Sequence, residues 1–158
     1  MKKIVAAFMA AVACMTMLTA CGGKTEPKKE PATADVAKAV VEQLSFRDEL
    51  MVLEDQQVDV IYRLDEEKIA EKTCYVSSSR ATAEEVSVFK VKDAADIQMV
   101  KDAIDERVED QKIAYENYVP EEMVLIENAV TVVNGNYVIL VMADDVSAVD
   151  DAFNDQFK

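Results

Sequence analysis

A run of three serines and an arginine, Ser77-Ser78-Ser79-Arg80, contains the side chains best suited to bind a small anion. Hydroxyls and a guanidinium donate hydrogen bonds to carboxylate or phosphate oxygens, so the run could form an anion-binding loop. The simpler interpretation is a polar connection between two strands, because serine is common in turns. We take Ser77, Ser78, Ser79 and Arg80 as the candidate ligand-binding residues, and Arg80 as the strongest of them.

Ser87 and Lys90 have the S-x-x-K spacing of serine acyl-transfer enzymes. That chemistry needs the serine at the start of a helix, so that the lysine one turn later faces the same pocket. The residues around Ser87 instead predict a strand, in which positions i and i+3 point to opposite faces. The companion motifs S-D-N and K-T-G are absent from the sequence, so we assign no catalytic residue.

The charge balance and the missing residue types exclude several functions. The chain has 17 basic and 31 acidic residues, for a formal net charge of -14, so it has too few cations to neutralise nucleic-acid phosphates. It has no histidine, which removes imidazole bases and ligands. Its three glycines cannot build a Gly-rich phosphate loop. We therefore expect no nucleic-acid partner and no cofactor, and we assign no metal site.

The many carboxylates leave two further functions open. Five aspartates near the end of the chain could gather a hard cation such as Ca²⁺, although no EF-hand loop is present and a solvated acidic face is the simpler interpretation. These aspartates are Asp144, Asp145, Asp150, Asp151 and Asp155. A pair of carboxylates could also act as in a glycosidase, but the sequence selects no pair. A carboxylate-based cell-envelope hydrolase and a weak divalent-cation binder are thus the alternatives.

The first twenty residues have the features of an export signal. Two lysines precede an apolar run over 4–13 that is too short to span a bilayer. The sequence Leu18-Thr19-Ala20-Cys21 resembles the bacterial lipoprotein signal, in which small residues precede a cysteine that is acylated and becomes the first residue. The alternative is an ordinary secretory signal with Cys21 incidental. The resemblance implies palmitate on Cys21 and a domain anchored at the cell membrane, outside the cytoplasm.

Residues 21–34 predict a lipidated cysteine and a flexible tether, because the stretch is rich in Gly, Lys, Pro and Thr. Residues 35–158 carry 12 basic and 29 acidic side chains and predict a single acidic domain. An anionic membrane surface repels such a domain at short range. Cys74 is the only thiol left after Cys14 and Cys21, so no internal disulfide can form.

The hydrophobic pattern predicts an α+β fold. We expect about four mostly antiparallel strands in two hairpins, over 73–91 and 129–142, with a long helix over 94–118 packed on the sheet. Flanking helices are predicted at both ends, the first capped by Asp35 and the last by Asp144 or Asp145. Residues 50–64 are ambiguous and favour a short helix.

Details of the pattern sharpen this expectation. The stripe of the long helix is interrupted at Gln111 and ends at Tyr115 and Tyr118. We expect these two tyrosines to pack in the core, and the alternative is an exposed aromatic platform for a ligand. Asn134-Gly135 predicts the turn of the second hairpin, and the run after it is apolar at every position, which indicates a strand inside the sheet.

Three stretches resemble family 4358 of the catalogued domains of unknown function. They are the run from Tyr75 to Lys90, Tyr118-Val-Pro120 and Asn134-Gly-Asn-Tyr137. Members of that family are typically small bacterial lipoproteins, and the residue after the serine run is usually small or glycine, where this chain has Arg80. The resemblance implies location and fold, and it brings no activity, cofactor or catalytic residue.

We therefore expect a lipid-anchored lipoprotein outside the cytoplasm that acts as a non-enzymatic binding or interaction module at the cell envelope. Its expected partners are the membrane, through Cys21, and a cell-envelope protein or a small ligand.

Overall fold

The computed structural model describes residues 29–158 of the chain. The leader over 1–20, the lipidated Cys21 and the tether up to residue 28 lie outside the described residues, so the predictions for them stay predictions. Within the described part of the chain, no helix combines the length and the apolar content needed to cross a bilayer.

One antiparallel sheet of five strands forms the centre of the domain, which confirms the α+β prediction with one strand more than expected. The strands are β1 Leu50–Val52, β2 Ile69–Ser77, β3 Glu85–Val91, β4 Val130–Asn134 and β5 Tyr137–Met142. Their spatial order is β1-β2-β3-β5-β4, so β1 and β4 are the edge strands. All six residues of β5 are buried, as predicted for a strand inside the sheet.

Helices cover both faces of the sheet and give the domain three layers. The helices are α1 Thr33–Gln43, α2 Asp55–Tyr62, α3 Ile97–Tyr115, α4 Met123–Glu127 and α5 Val149–Asn154. Buried side chains of α1 and α5 form one core with Val86 and Val88 of β3. Buried side chains of α2, α3 and α4 form the other core with Phe89. The alternation of side chains along β3 separates the two cores.

The extra strand, β1, corrects the predicted strand number. It is three residues long, and Met51 and Val52 are about half exposed. A strand of three residues is too short to show an alternation of apolar and polar residues. No sign in the sequence therefore separates β1 from α2, and both fall within the ambiguous stretch over 50–64. The helix expected within 50–64 is confirmed as α2, which follows β1 after two residues.

The helix ends also differ from the prediction. A 3₁₀ turn over 94–96 precedes α3, and α3 ends at Tyr115 rather than at residue 118. Asp35 lies in the first turn of α1 and makes no cap hydrogen bond, so its predicted capping role is wrong. The Thr33 N–H instead donates to the Glu71 carboxylate on β2, 3.0 Å away, because a tertiary contact satisfies the helix end.

The turn of the second hairpin is shifted by one residue. Asn134 pairs with Tyr137, so Gly135 and Asn136 are the two central residues. Of these two residues, Gly135 has a positive φ, of 57°, and Asn136 does not. This is the pattern of a type II′ turn with glycine at its first central position. The last helix begins at Val149, not at Asp144 or Asp145, because Asp145 accepts a hydrogen bond from the Ser147 N–H in a separate turn.

Candidate functional site

A cleft of about 670 Å³ opens between α2 and α3, above the last residues of β2. Most of its lining is apolar. The apolar side chains include Leu53, Val60, Ile61, Val76, Ala114 and Tyr118. Val60 is 75% exposed and Tyr118 is 81% exposed, which is unusual for large apolar side chains of a folded domain. An apolar cleft of this size is the common form of a ligand-binding site.

Several polar side chains on the cleft wall have groups free to bind a ligand. Within residues 29–158, Arg80 is exposed and its guanidinium forms no ion pair or hydrogen bond. Gln111 is 8% exposed and its amide forms no hydrogen bond in the same part of the chain; no side-chain polar atom there is both buried and unpartnered, so the amide reaches the open cleft. Arg107 uses Nε and Nη2 to bind Glu85 and leaves Nη1 without such a partner. The cleft thus combines apolar walls with two arginines and three glutamine amides.

The two carboxylates on the cleft wall differ in their surroundings. Glu84 is buried and accepts hydrogen bonds from the N–H groups of Arg47 and Asp48, at 2.7 and 3.0 Å. Glu54 is exposed before the first turn of α2, and its N–H donates to the Gln57 side chain at 3.0 Å. Because Glu84 is already engaged, the cleft does not offer the pair of free carboxylates that the hydrolase hypothesis needs.

The serine run is held by Asp48, not left open for an anion. Ser79 donates from its hydroxyl and its N–H to the Asp48 carboxylate, at 2.6 and 3.0 Å, and Ser77 donates its hydroxyl to the same oxygen. Ser78 is exposed and its side chain forms no hydrogen bond within the described residues. Of the four candidate residues, Ser77 and Arg80 line the cleft.

Arg80 has an unusual backbone conformation. Its φ is 59°, in the left-handed region that glycine adopts readily and that costs other residues about 1–2 kcal/mol. Tyr115 fixes this turn by donating its hydroxyl hydrogen bond to the carbonyls of Arg80 and Thr82, at 3.2 and 2.7 Å. The domain thus holds an arginine at the cleft mouth in a conformation better suited to glycine.

A buried polar network lies behind the cleft. The Glu85 carboxylate accepts two hydrogen bonds from Arg107, at 3.0 and 2.8 Å, one from Ser87 at 2.7 Å and one from the Tyr62 hydroxyl. Burial and the Glu85 charge raise the pKa of Tyr62 well above its ordinary value. Burial lowers the pKa of Arg107, but the charge and hydrogen bonds of Glu85 together with smaller contributions from Tyr62 and Cys74 outweigh it, so the pKa of Arg107 is raised. The network fixes Arg107 in its place on the cleft wall.

A second network fixes the loop between β2 and β3. Glu122 is buried and accepts a bidentate pair of hydrogen bonds from Arg47, both at 2.9 Å. It also accepts the N–H of the buried Ala83 at 2.9 Å. Arg47 pairs with Asp144 as well, at 2.9 Å. These contacts join the segment between α1 and β1, the β2–β3 loop, the turn before α4 and the residues after β5 at one end of the sheet.

The remaining chemical motifs do not come together. Ser87 faces the network behind the cleft, while Lys90 pairs with Glu30 and lies over the Tyr137 ring on the opposite face. Within the described residues, no three Asp, Glu or Cys side chains gather in a way that could hold a metal ion. Burial raises the pKa of the Cys74 thiol, as expected for a core cysteine.

Sequence reasoning located Arg80 but missed Gln111, Arg107 and the buried acids. Gln111 was visible as the one interruption of the apolar stripe of α3, which is the sign of a polar side chain facing inward. Tyr118 was expected in the core and is exposed, because α3 ends three residues before it. Arg107 and Glu85 lie 22 residues apart, and nothing in their local sequences indicates that they pair.

Asp48 gives a direct test of how the serine run is held. Hydrogen bonds from Ser77 and Ser79 lower the pKa of Asp48 to about 2. Since the folded state favours the ionised form, the stability from this group is complete above the ordinary pKa of 3.8 and is lost as the pH falls through about 2.

We expect carboxyl-carbon NMR titration to show that Ser77→Ala and Ser79→Ala each raise the pKa of Asp48. Ser78→Ala is the matched control, because the Ser78 hydroxyl is not bonded to Asp48. An equal shift in all three variants would contradict the assignment.

Comparison with known proteins assigns the domain to a family. A family model described as a domain of unknown function, DUF4358, matches residues 42–143, which is more than half of the chain. The chain belongs to the DUF4358 family. The DUF4358 match includes all five strands and the cleft, and leaves out α5 and nearly all of α1. The comparisons with curated proteins and with solved structures found no match.

Proposed function

We propose that this DUF4358 chain is a membrane-anchored binding module whose cleft takes a ligand with an apolar body and an anionic group. The observation that carries the proposal is the free guanidinium of Arg80 at the mouth of an apolar cleft. The apolar walls favour a ligand with an apolar body, because binding removes apolar surface from water. The arginine favours a carboxylate or a phosphate on that ligand.

The net charge of the domain strengthens the role of Arg80. Acidic residues outnumber basic ones in residues 35–158 by 29 to 12, and most of the cations in the described part pair with carboxylates. An unpaired cation at a cleft mouth is therefore a local exception in an acidic protein. At close range this cation attracts the anionic group of a ligand and repels cations.

The place where the tether joins the domain supports an anchored binding module. The Tyr137 hydroxyl donates to the Pro31 carbonyl at 2.7 Å, so the chain reaches the sheet at the end where β5 begins. The cleft lies at the other end, near Ser77 at the end of β2, and on the other face. The length of β5 separates the two ends by roughly 20 Å. A lipid on Cys21 would thus be joined to the domain at the end of the sheet opposite the cleft, so the attachment point would not block the cleft.

The anchor has its own test, because it depends on residues outside the described part of the chain. Mass spectrometry of the mature protein from cells is expected to find an acylated cysteine at position 21 as the first residue. Cys21→Ala is expected to lose the acyl groups and membrane attachment, while the control Cys14→Ala retains both. An unmodified amino terminus at another position would overturn the anchor and leave the cleft proposal intact.

Replacing Arg80 is expected to separate ligand binding from stability. Arg80→Gly and Arg80→Ala both remove the guanidinium, and both are expected to weaken binding of an apolar anion by roughly threefold to tenfold. Only glycine relieves the left-handed backbone, so Arg80→Gly should be about 1 kcal/mol more stable than Arg80→Ala. Denaturant unfolding measures the second effect. Equal stabilities, or unchanged binding, would contradict this account of Arg80.

Amide-shift NMR on residues 22–158 tests the ligand class. Phenylbutyrate is the probe, and phenylbutanol is its neutral counterpart of the same shape. We expect phenylbutyrate to bind more tightly, with shifts concentrated at Arg80, Gln111 and Tyr118. The preference for the anion should vanish in Arg80→Ala and persist in Lys38→Ala. Lys38 is the control because it is an exposed cation on α1, which covers the opposite face of the sheet. Shifts scattered over the surface would defeat the proposal.

A further inference from the structure

Four of the seven large apolar side chains that are exposed in residues 29–158 lie on the edge strand β1 or in the cleft beside it, and the other three lie on α3, α4 and β4. Met51 and Val52 of β1 are 44% and 49% exposed, and Val60 and Tyr118 of the cleft are more exposed still. β1 is an edge strand, and within residues 29–158 it pairs with β2 alone. Exposed apolar groups clustered in this way mark a surface that another molecule covers.

The outer edge of β1 has backbone groups available for pairing. Leu53 donates its N–H to the Cys74 carbonyl, and Ser78 donates its N–H to the Glu49 carbonyl, both at 2.9 Å. Hydrogen bonding alternates along an antiparallel strand, so residues 49, 51 and 53 point to β2. The N–H and C=O groups of Leu50 and Val52 therefore point away from the sheet.

This open edge adjoins the cleft. Leu50 pairs with Ser77 and Met51 pairs with Val76, and both partners on β2 line the cleft. Leu53, directly after β1, also lines it. A strand added outside β1 would place alternate side chains on the cleft face, next to Met51.

Resting on the function proposed above, we infer that the ligand is an extended peptide segment of a protein partner, which adds to β1 as a sixth strand. Its apolar side chains pack on Met51 and in the cleft, and a carboxylate of the same segment binds Arg80. Charge complementarity selects this occupant, because the free cation at the cleft is matched by an acidic peptide. The unpaired Gln111 amide, which can both donate and accept, suits a peptide group. Strand addition with side-chain pockets is an established mode of peptide recognition.

The experiment uses the full-length mature chain in lipid nanodiscs and a phage-displayed library of random peptides about ten residues long. Empty nanodiscs remove peptides that bind lipid. The selected peptides are expected to alternate apolar and other residues and to share an acidic position. Methylating the peptide nitrogens one at a time should weaken binding about tenfold at every second residue and leave the others unchanged, because only alternate N–H groups face β1.

A proline substitution tests the same edge on the protein. Val52→Pro removes an outward N–H without breaking a β1–β2 hydrogen bond, and it is expected to weaken peptide binding about tenfold. Val133→Pro is the matched control: Val133 is 42% exposed, lies on the other edge strand, and likewise has an outward N–H. Val133→Pro should bind peptide as the wild type does. If Val52→Pro fails to fold, the methylated peptides decide the question.

Each other outcome contradicts a definite part of the inference. If methylation leaves peptide binding unchanged at odd-numbered and even-numbered positions alike, no strand is added. Enrichment of no peptide, while phenylbutyrate still binds at Arg80, would overturn the peptide ligand and leave the proposed function standing. Failure of both probes would overturn the function as well. A dimer in sedimentation that Val52→Pro dissociates would assign the edge to a second copy of the chain.

Discussion

Glu85→Ala is expected to lower the free energy of unfolding by about 3–5 kcal/mol. Glu85 is fully buried, and its carboxylate is the common acceptor for Arg107, Tyr62 and Ser87. Its removal leaves an arginine whose side chain is only 14% exposed without a counter-charge, and two buried hydroxyls without their acceptor. Breaking one side of a buried ion pair is costly because the remaining charge stays out of water. Urea unfolding followed by circular dichroism measures the loss.

Glu49→Ala is the control for Glu85→Ala. Glu49 is an exposed acid directly before β1, so its replacement should change stability little. The double variant Glu85→Leu, Arg107→Met replaces the charged pair by apolar groups of similar size. It should recover much of the loss, since no charge is then left buried. A Glu85→Ala protein as stable as the wild type would contradict the description of the network.

Glu122→Ala is expected to cost about 2–4 kcal/mol and to weaken ligand binding as well. The buried Ala83 N–H loses its acceptor, and a buried unpaired N–H costs about 1–3 kcal/mol. The bidentate pair with Arg47 is lost at the same time. Because these bonds hold the loop that carries Arg80, the variant should loosen the cleft mouth. Hydrogen exchange of the amides over 80–84 measures that loosening.

Glu121→Ala is a closely matched control for Glu122→Ala. The two glutamates are adjacent, but Glu121 is exposed where Glu122 is buried. Glu121→Ala should leave the exchange of residues 80–84 unchanged and shift stability by less than about 0.5 kcal/mol. Equal effects of the two substitutions would show that the backbone turn, and not the buried carboxylate, holds the loop.

Most of the fold could be predicted from the sequence because its long elements have clear periods. The apolar run of β5 and the stripe of α3 each have a residue pattern that few other structures produce. The Asn-Gly pair located the second hairpin but placed its turn one residue too early. β1 could not be predicted, since three residues show no period and its pairing with β2 is a tertiary contact. The end of α3 was also missed, because residues 116–118 fit the stripe although they lie in a turn.

The site was less predictable than the fold for a related reason. Arg80 was identified from composition alone, as a cation beside serines in an acidic chain. The assignment of Ser77 and Ser79 to a ligand did not foresee Asp48, which lies 29 and 31 residues away and accepts their hydrogen bonds. The hairpin predicted over 73–91 includes Glu85, but the prediction did not foresee that the Glu85 carboxylate is bonded to α2 and α3. Pairings between distant elements leave no mark in local sequence.

The most direct measurement of the central claim is the position of a bound apolar anion. Crystals of residues 22–158 grown with bromophenylbutyrate would locate the bromine by its anomalous scattering. We predict one dominant bromine peak in the cleft between α2 and α3, with the carboxylate within hydrogen-bond distance of the Arg80 guanidinium. A dominant peak on any other surface, or an empty cleft at saturating probe, would contradict the account.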